Sequence, residues 1–224
     1  MTIGRTPSKP SKRPRGPGRP AQSDADLRER LLDAALACYA AEGIKGASLK
    51  SIARQAGVTP ALVHYYFGNK DLLFAAVVEE RLMRAMAALQ GGLDPGDGTP
   101  AALVAGFVAA VHAVVARHPW LPVLWVREIL TEGGALRELM LTRIAPLVPQ
   151  MLGGRFATAQ AQGAINPRLD PRLLVVSLMG LTLFPLAAEP IWRRLFPADD
   201  IDNARLQSHT LALLHSGMEL PDAH

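Results

Sequence analysis

The feature that most constrains this chain is a glycine turn between two short apolar-faced helices, within the segment from Ser48 to Leu73. Gly57 lies at the end of the first of these helices, where a residue without a Cβ can adopt the left-handed conformation that stops a helix. Ser48 is placed to cap the start of that helix with its hydroxyl. Its apolar residues recur at i, i+3, i+4 and i+7 and define one buried face: Leu49, Ile52, Ala53 and Ala56.

The second helix of the segment has one face for packing and another for binding. Thr59 is placed to cap it with its hydroxyl, and Pro60 falls in the first turn, where proline is tolerated. Val63 and Phe67 share a face that can pack on the first helix. The residues that point elsewhere are candidates for contacting bases or phosphates: Ala61, Leu62, His64 and Tyr65. The pattern predicts a helix-turn-helix, and therefore duplex DNA as the partner.

The sequence from Leu31 to Leu73 closely resembles the DNA-binding domain of the TetR/AcrR family of bacterial transcriptional regulators. The matching motifs stand in register: an LDAAL helix with an aromatic Tyr39, an AEG helix end, the AGVT turn, the aromatic run from Tyr65 to Phe67 and a K-D-L-L start to the fourth helix. The resemblance implies an all-α fold. Its expected parts are an N-terminal three-helix helix-turn-helix DNA-binding domain and a C-terminal helical ligand-binding and dimerisation domain.

Carried over position by position, the resemblance implies two groups of DNA contacts. The residues implied to face the bases are Lys50, Pro60, Ala61, Leu62 and His64. The residues implied to hold the DNA backbone are Tyr65, Tyr66 and Lys70. The capping residues Ser48 and Thr59 complete the predicted binding set. His64 departs from the family, which most often has tyrosine at this position.

Positive charge is concentrated in the part of the chain that carries this motif. Up to Gln90 there are 14 Lys or Arg against 8 Asp or Glu, and the remainder has 10 against 12. Attraction to phosphate requires such an imbalance. Residues 1–22 form a basic arm rich in Pro and Gly, which we expect to be disordered. Arg15 and Arg19 at its end either enter a minor groove, where arginine is attracted by negative potential, or belong to a solubilising tail that touches DNA diffusely.

The positions at which Pro and Gly interrupt the helical pattern predict the domain organisation. We assign residues 23–70 to the helix-turn-helix DNA-binding domain and residues 71–224 to the effector-binding and dimerisation domain. A fourth helix from about Asp71 to Gln90 precedes a break over Gly91 to Pro100. The remaining predicted helices are Ala101 to His118, Trp120 to Leu130, Ala135 to about Gln162, Pro171 to Ala188 and Ile201 to Met218.

The most apolar segment runs from Leu173 to Ala188 and is too short to cross a bilayer, which takes about twenty residues. We therefore expect no membrane contact and a helix buried on most sides. In the family the last two long helices form a four-helix bundle between two copies. The resemblance thus implies a homodimer that binds a pseudo-palindromic operator.

The resemblance also implies a pocket for a small hydrophobic effector in the C-terminal domain. The candidate lining residues are Phe107, His112, Trp125, Arg127, Phe156, Met179 and Phe184. Aromatic and Met side chains at helical spacing are also ordinary core packing. Arg127 and His112 must find polar partners within apolar helices, either a ligand or a neighbouring Glu128 or Glu132.

The sequence predicts no catalytic residue, no metal site and no cofactor, because it lacks metal-binding spacings, a phosphate-binding glycine loop and a nucleophile elbow. A single cysteine fits a reducing cytoplasm. The predicted function is a sequence-specific transcriptional repressor that a small apolar effector releases from DNA. The alternative is an architectural or assembly-regulating DNA-binding protein of the same fold without an effector.

Overall fold

The computed structural model describes residues 24–93, 98–144 and 147–220, and every regular element within these ranges is helical. The helices of the first part are α1 (Asp24–Glu42), α2 (Leu49–Ala56), α3 (Pro60–Phe67) and α4 (residues 70–91). Helix α4 is continuous and joins Lys70–Val77, a π-helical stretch Val78–Leu82 and Met83–Gly91. The predicted fourth helix is thus confirmed to within one residue at either end.

Caps fix the geometry of the helix-turn-helix. The Ser48 hydroxyl accepts a hydrogen bond from Ser51 N at 3.0 Å, and Ser51 Oγ accepts one from Ser48 N at 3.0 Å. Gly57 ends α2 in the left-handed conformation with φ of 69°. Thr59 occupies the N-cap position of α3, but its side chain makes no cap hydrogen bond. The predicted hydroxyl cap at Thr59 is therefore wrong, and the hydroxyl is left available to another acceptor or donor.

The second part of the chain contains seven further helical elements among the described residues. They are α5 (Pro100–Arg117), α6 (Leu121–Leu124 with the π-helical Trp125–Leu130), α7 (Arg137–Leu139 with the π-helical Met140–Ile144), α8 (Leu147–Ala161), α9 (Pro171–Ala187), α10 (Glu189–Leu195) and α11 (Asn203–Met218). Two differences from the prediction stand out. The helix expected from Ala135 to Gln162 is divided between α7 and α8. Helix α10 was not predicted; its second residue is Pro190, and proline is compatible with the first turn of a helix.

One apolar core runs through the described parts of the chain. Helix α1 packs on α2 and α4 through buried side chains such as Leu32 and Tyr39. Helix α5 lies centrally in the second part, where it contacts α4, α8, α9 and α11. The core is contiguous from Leu31 on α1 to Met218 on α11. Because α4 passes through residues 70 and 71 without a break, the proposed division there cuts a helix and stays a prediction.

Ion pairs hold α1 against the π-helical stretch of α4. Arg81 Nη2 lies 2.8 Å from Glu29 Oε2, and Arg81 Nε lies 2.8 Å from Asp33 Oδ1. Next to these pairs, Arg28 Nη2 lies 2.6 Å from Glu80 Oε1. These pairs raise the pKa of Arg28 and lower the pKa of Glu80, chiefly through the hydrogen bond between the two groups.

The arm with Arg15 and Arg19 lies outside the described residues.

Among the described residues, one helix is long and apolar enough to cross a membrane by composition alone. It is Pro100–Arg117, and not the segment from Leu173 to Ala188. Eight of its side chains are buried within the protein, which is typical of a core helix. Pro171–Ala187 passes the same test only together with Glu189–Leu195, and the pair is bent by 70°. The absence of membrane contact stays a prediction.

Candidate DNA-binding surface and effector cavity

Helix α3 presents a free face opposite a buried one. Val63 is fully buried and Phe67 nearly so, and both pack into the core beneath α2. Ala61, His64 and Tyr65 are exposed, with Tyr65 at 79% exposure, and Leu62 is half-buried. The Tyr66 hydroxyl donates to Asp24 Oδ1 at 3.0 Å, which ties α3 to the start of α1. An exposed aromatic beside small side chains gives this face the shape of a major-groove reading helix.

His64 has a defined orientation on this face. Its Nδ1 lies 2.6 Å from the carbonyl oxygen of Gly68. Because a carbonyl only accepts, Nδ1 carries the proton, and in the neutral ring Nε2 is left as an acceptor. A neutral His64 would then accept from the amino group of adenine or cytosine.

The start of α2 and the start of α4 contribute the predicted lysines. Lys50 is exposed in the first turn of α2, one position after Leu49. Lys70 Nζ donates to the carbonyl oxygen of Lys45 at 2.8 Å, so one of its three donors already holds the turn between α1 and α2. Ser48 is exposed and its hydroxyl is committed to the capping box with Ser51. Lys50 is therefore the freer of the two lysines to reach DNA.

A polar junction fastens the π-helical stretch of α6 to the end of α1. Arg127 Nη1 donates to the carbonyl oxygens of Ala40 at 3.1 Å and Ala41 at 2.8 Å. These carbonyls belong to the last turn of α1, where acceptors lack helical partners and a cation is favoured. The buried Glu128 carboxylate accepts from Ile44 N at 2.9 Å and from Ala135 N at 3.0 Å. Arg127 thus meets backbone of the first part of the chain, not Glu128 or Glu132 as expected.

A glycine makes this junction possible. Gly43 follows α1 with φ of 80°, a conformation that L side chains rarely adopt. A Cβ at this position would lie 3.2 Å from both Arg127 Nε and Glu128 Oε1. The Lys45 amine adds a further link by donating to the carbonyl oxygen of Gly133 at 2.8 Å. The turn after α1 is therefore shaped to receive the two charged residues of α6.

An apolar cavity of about 80 Å³ lies among α4, α5, α6, α7, α8 and α9. We call it the apolar cavity. Its lining residues are Met86, Leu89, Gln90, Phe107, Val111, Val114, Val115, Leu121, Trp125, Met140, Val148, Pro149, Leu152, Val175, Met179 and Leu183. The polar side-chain groups in this lining are the amide of Gln90 and the indole N–H of Trp125. Because the other lining side chains are apolar, the cavity favours a hydrophobic molecule.

The structure divides the predicted effector residues among five environments. Phe107, Trp125 and Met179 line the apolar cavity. Phe156 is fully buried in the core outside this lining, and Phe184 is 67% exposed on α9. Arg127 lies at the junction with α1, and His112 lines a different cavity. Phe156, Phe184, Arg127 and His112 thus lie outside the lining of the apolar cavity, and their part in binding an effector stays a prediction.

Sequence reasoning missed most of the aliphatic lining and the role of Glu128. The lining residues Val111 and Val114 follow Phe107 on α5 at helical spacing, so the pattern on that helix could have indicated them. Glu128 is a buried carboxylate within an apolar stretch, which by itself signals a required partner. One partner, Ile44 N, lies 84 residues earlier in the chain and the other, Ala135 N, lies seven residues later, and no pattern in the chain indicates either of them.

The comparisons with known proteins agree with this geometry. A domain model described as bacterial regulatory proteins of the tetR family matches residues 31–77, within α1 to α4. The HTH-type transcriptional regulator BetI of Rhizobium meliloti strain 1021 is 35% identical over 98 residues, which are 42% of this chain and 48% of the relative. The HTH-type transcriptional repressor SCO4008 of Streptomyces coelicolor is 33% identical over 113 residues, 50% of this chain and 53% of the relative.

The chain thus spans about half the length of the first curated relatives it matches. These relatives are transcriptional regulators, in agreement with the prediction that the chain is not an enzyme. The second part of the chain is matched by fold. The crystal structure of the transcriptional regulator FadR from Bacillus subtilis in complex with stearoyl-CoA has a TM-score of 0.62 at 21% identity and covers 85% of this chain and 99% of that chain. The domain match falls on α1 to α4, so residues 31–77 carry the domain that defines the tetR family of bacterial regulatory proteins, and the later helices share the fold of a solved regulator.

Proposed function

We propose that this chain is a transcriptional repressor that binds a pseudo-palindromic operator as a homodimer and leaves it when a small hydrophobic effector fills the apolar cavity. The observation that carries the proposal is the free face of α3. Its outward residues are presented on a short helix whose opposite side is locked into the core by Val63 and Phe67. A rigid helix with a free polar and aromatic face can enter a major groove without reorganising.

The DNA contacts proposed for this surface follow the predicted set. Pro60, Ala61, Leu62 and His64 on α3, with Lys50 on α2, are proposed to face bases. Tyr65 and Tyr66, with Thr59, Ser48 and Lys70 at the helix starts, are proposed to contact the sugar-phosphate backbone. Thr59 suits this role because its hydroxyl makes no cap hydrogen bond.

Exposed apolar faces on α9 and α11 support the homodimer. Leu173, Val176 and Phe184 are all more than 60% exposed and recur on one side of α9. Leu213 is 49% exposed on the neighbouring α11. Apolar side chains gathered in this way on two adjacent helices are typical of a surface that another chain covers. A second copy that packs α9 and α11 against the same helices would bury them and place two α3 helices on one side of the dimer.

The size of the apolar cavity supports an effector that changes the structure. A volume of about 80 Å³ is small beside the roughly 300 to 1,000 Å³ of ordinary ligand sites. A hydrophobic molecule could therefore bind only if the walls move apart. The solved FadR relative is described in complex with stearoyl-CoA, and we propose a ligand with a comparable apolar portion for this chain.

The junction at Arg127 and Glu128 is the proposed route from cavity to DNA. Trp125 lines the apolar cavity and lies two residues before Arg127 on the same π-helical stretch. Displacement of Trp125 by an effector would move the two charged residues that hold the end of α1 and the turn before α2. An effector acts in this way only if it binds the displaced arrangement more tightly than the DNA-bound one.

Footprinting on the DNA upstream of the gene, with competitor DNA and a salt titration, tests the function. A protected pseudo-palindrome that is released by a saturated fatty acyl compound or another hydrophobic ligand supports the repressor. Protection that survives every ligand in a broad hydrophobic panel removes the effector from the proposal. Diffuse binding that random DNA competes fully would favour the architectural alternative.

Lys50→Ala is expected to weaken operator binding by roughly 1 to 3 kcal/mol and to relax preference at one base position, if its amine reaches a base edge. Binding to random DNA should fall much less. Fluorescence anisotropy on operator and scrambled duplexes measures both. Arg155→Ala, which removes an equal charge from the exposed side of α8, should leave operator affinity unchanged. Equal losses on the two duplexes would assign Lys50 to the phosphates instead.

A further inference from the structure

A second cavity lies beside the apolar cavity, against a neighbouring face of α5. It has a volume of about 260 Å³ and is bounded by the end of α5, the bend between α9 and α10 and the start of α11. We call it the polar cavity. Val115 lines both cavities, so the two are neighbours along α5.

The buried His112 gives this cavity its most specific feature. The residue is 1% exposed, and its Nδ1 lies 2.6 Å from Asn203 Oδ1. An amide oxygen only accepts, so Nδ1 carries the proton. Burial lowers the pKa of His112, which keeps the ring neutral and leaves a lone pair on Nε2. Within the described residues the buried Nε2 has no hydrogen-bond partner, and such an acceptor calls for a donor.

The charged lining is also rich in acceptors. Two carboxylates, Glu189 and Asp202, line the cavity. Arg193 is the only Lys or Arg among the cavity residues of the described chain. The Arg193 nitrogens already donate to Glu189 Oε1 at 2.7 Å, to Ala198 O at 2.8 Å and to Ile201 O at 2.7 Å. The guanidinium also lies 4.7 Å above the Trp192 ring. The arginine is thus committed to the protein and is poorly placed to bind an anion.

One carboxylate oxygen of Asp202 accepts a hydrogen bond from the described residues and the other does not. Its Oδ1 caps α11 by accepting from Arg205 N at 2.8 Å. For Oδ2, the described part of the chain supplies no hydrogen-bond donor. Asp202 is followed directly by Asn203, the partner of His112, so the carboxylate and the imidazole flank the same end of the cavity. Apolar side chains complete the lining with Val115, Leu186 and Leu206.

We propose that the polar cavity is a binding site for a small protonated amine with a short apolar body. The ammonium group would donate to His112 Nε2 and to the Asp202 carboxylate, and the apolar part would rest against Val115, Leu186 and Leu206. An ammonium group offers three donors and a positive charge, which suits a lining of acceptors with one net negative charge. This site is separate from the hydrophobic effector and does not depend on DNA binding.

The test uses the full-length protein without DNA and 2-phenylethylamine as the probe. Isothermal titration calorimetry should show tighter binding of the amine than of 2-phenylethanol, by about tenfold or more, because the charge-assisted hydrogen bond is lost in the alcohol. The carboxylate 3-phenylpropanoate, which has a similar size but a negative charge, should bind more weakly than the amine and the alcohol. Amine and alcohol binding with equal affinity, or the carboxylate binding best, would overturn the proposal.

Asp202→Asn locates the site without disturbing the fold, since Asn still accepts the cap hydrogen bond from Arg205 N. It should weaken the amine about tenfold and leave the alcohol unchanged. Asp199→Asn is the matched control, because Asp199 is exposed and outside the cavity lining. The ¹⁵N resonance of His112 Nε2 should shift on adding the amine to the wild type. Equal effects of the two substitutions, or an unmoved Nε2 resonance, would place the amine elsewhere.

Discussion

Phe156→Ala is expected to lower the free energy of unfolding by about 3 to 5 kcal/mol, the usual cost of emptying a fully buried phenylalanine site. Phe156 is 0% exposed on α8 and packs within the core. Phe184→Ala is expected to leave the fold of each protomer intact, because that ring is 67% exposed on α9. It should instead weaken self-association, which the apolar face of α9 is proposed to support. The same substitution thus has two different consequences in one protein.

Urea denaturation at fixed protein concentration measures the first effect, and sedimentation equilibrium measures the second. Concentration must be fixed because subunit association adds to apparent stability. The assignment of Phe156 to the core would be wrong if its alanine variant unfolded within about 1 kcal/mol of the wild type. A Phe184→Ala variant that dimerises as tightly as the wild type would move the dimer contact away from this part of α9.

Glu128→Ala should cost about 2 kcal/mol or more, because it leaves the buried N–H groups of Ile44 and Ala135 without acceptors. Each of those groups now donates to one oxygen of the carboxylate. Glu128→Gln should cost less, since its amide keeps one acceptor oxygen. Without Glu128 the turn before α2 is no longer held, so the amide hydrogen of Ile44 should exchange faster. Affinity for the operator should also fall.

Glu132→Ala provides the control for this experiment. Glu132 carries the same charge four residues later and is exposed, so its removal should change stability and exchange at Ile44 N very little. Thermal unfolding and amide exchange of the two variants, measured side by side, separate a buried hydrogen-bonding role from a general charge effect. Matching behaviour of the two variants would show that Glu128 does not hold the junction.

The sequence was a good guide where structure depends on neighbouring residues. The capping of α2 by Ser48, its end at Gly57 and the buried face of α3 all follow from contacts within a few positions. The hydroxyl cap expected at Thr59 failed even though the helix starts there, because a cap position fixes the backbone and leaves the side-chain rotamer free. Local patterns thus predicted the helix-turn-helix nearly residue by residue.

Contacts between distant segments could not be predicted in this way. Arg127 finds the carbonyl oxygens of Ala40 and Ala41, 86 or more residues earlier in the chain. The exposure of Phe184 depends on which side of an almost uniformly apolar helix meets α5 and α11, and hydrophobicity alone does not distinguish the sides. The sequence therefore indicated that the second part holds apolar helices and a cavity, but not which side chains face it.

The π-helical stretches have a consequence for how the apolar cavity can change shape. Trp125 and Met140 each line the cavity from the first position of such a stretch, and Met86 lines it shortly after the one in α4. A π turn holds one residue more than an α turn. The extra residue turns the side chains that follow it by about 100° from the positions that they would take on an uninterrupted α-helix. A shift of a π turn along its helix would therefore change which side chains of α4, α6 and α7 face the apolar cavity.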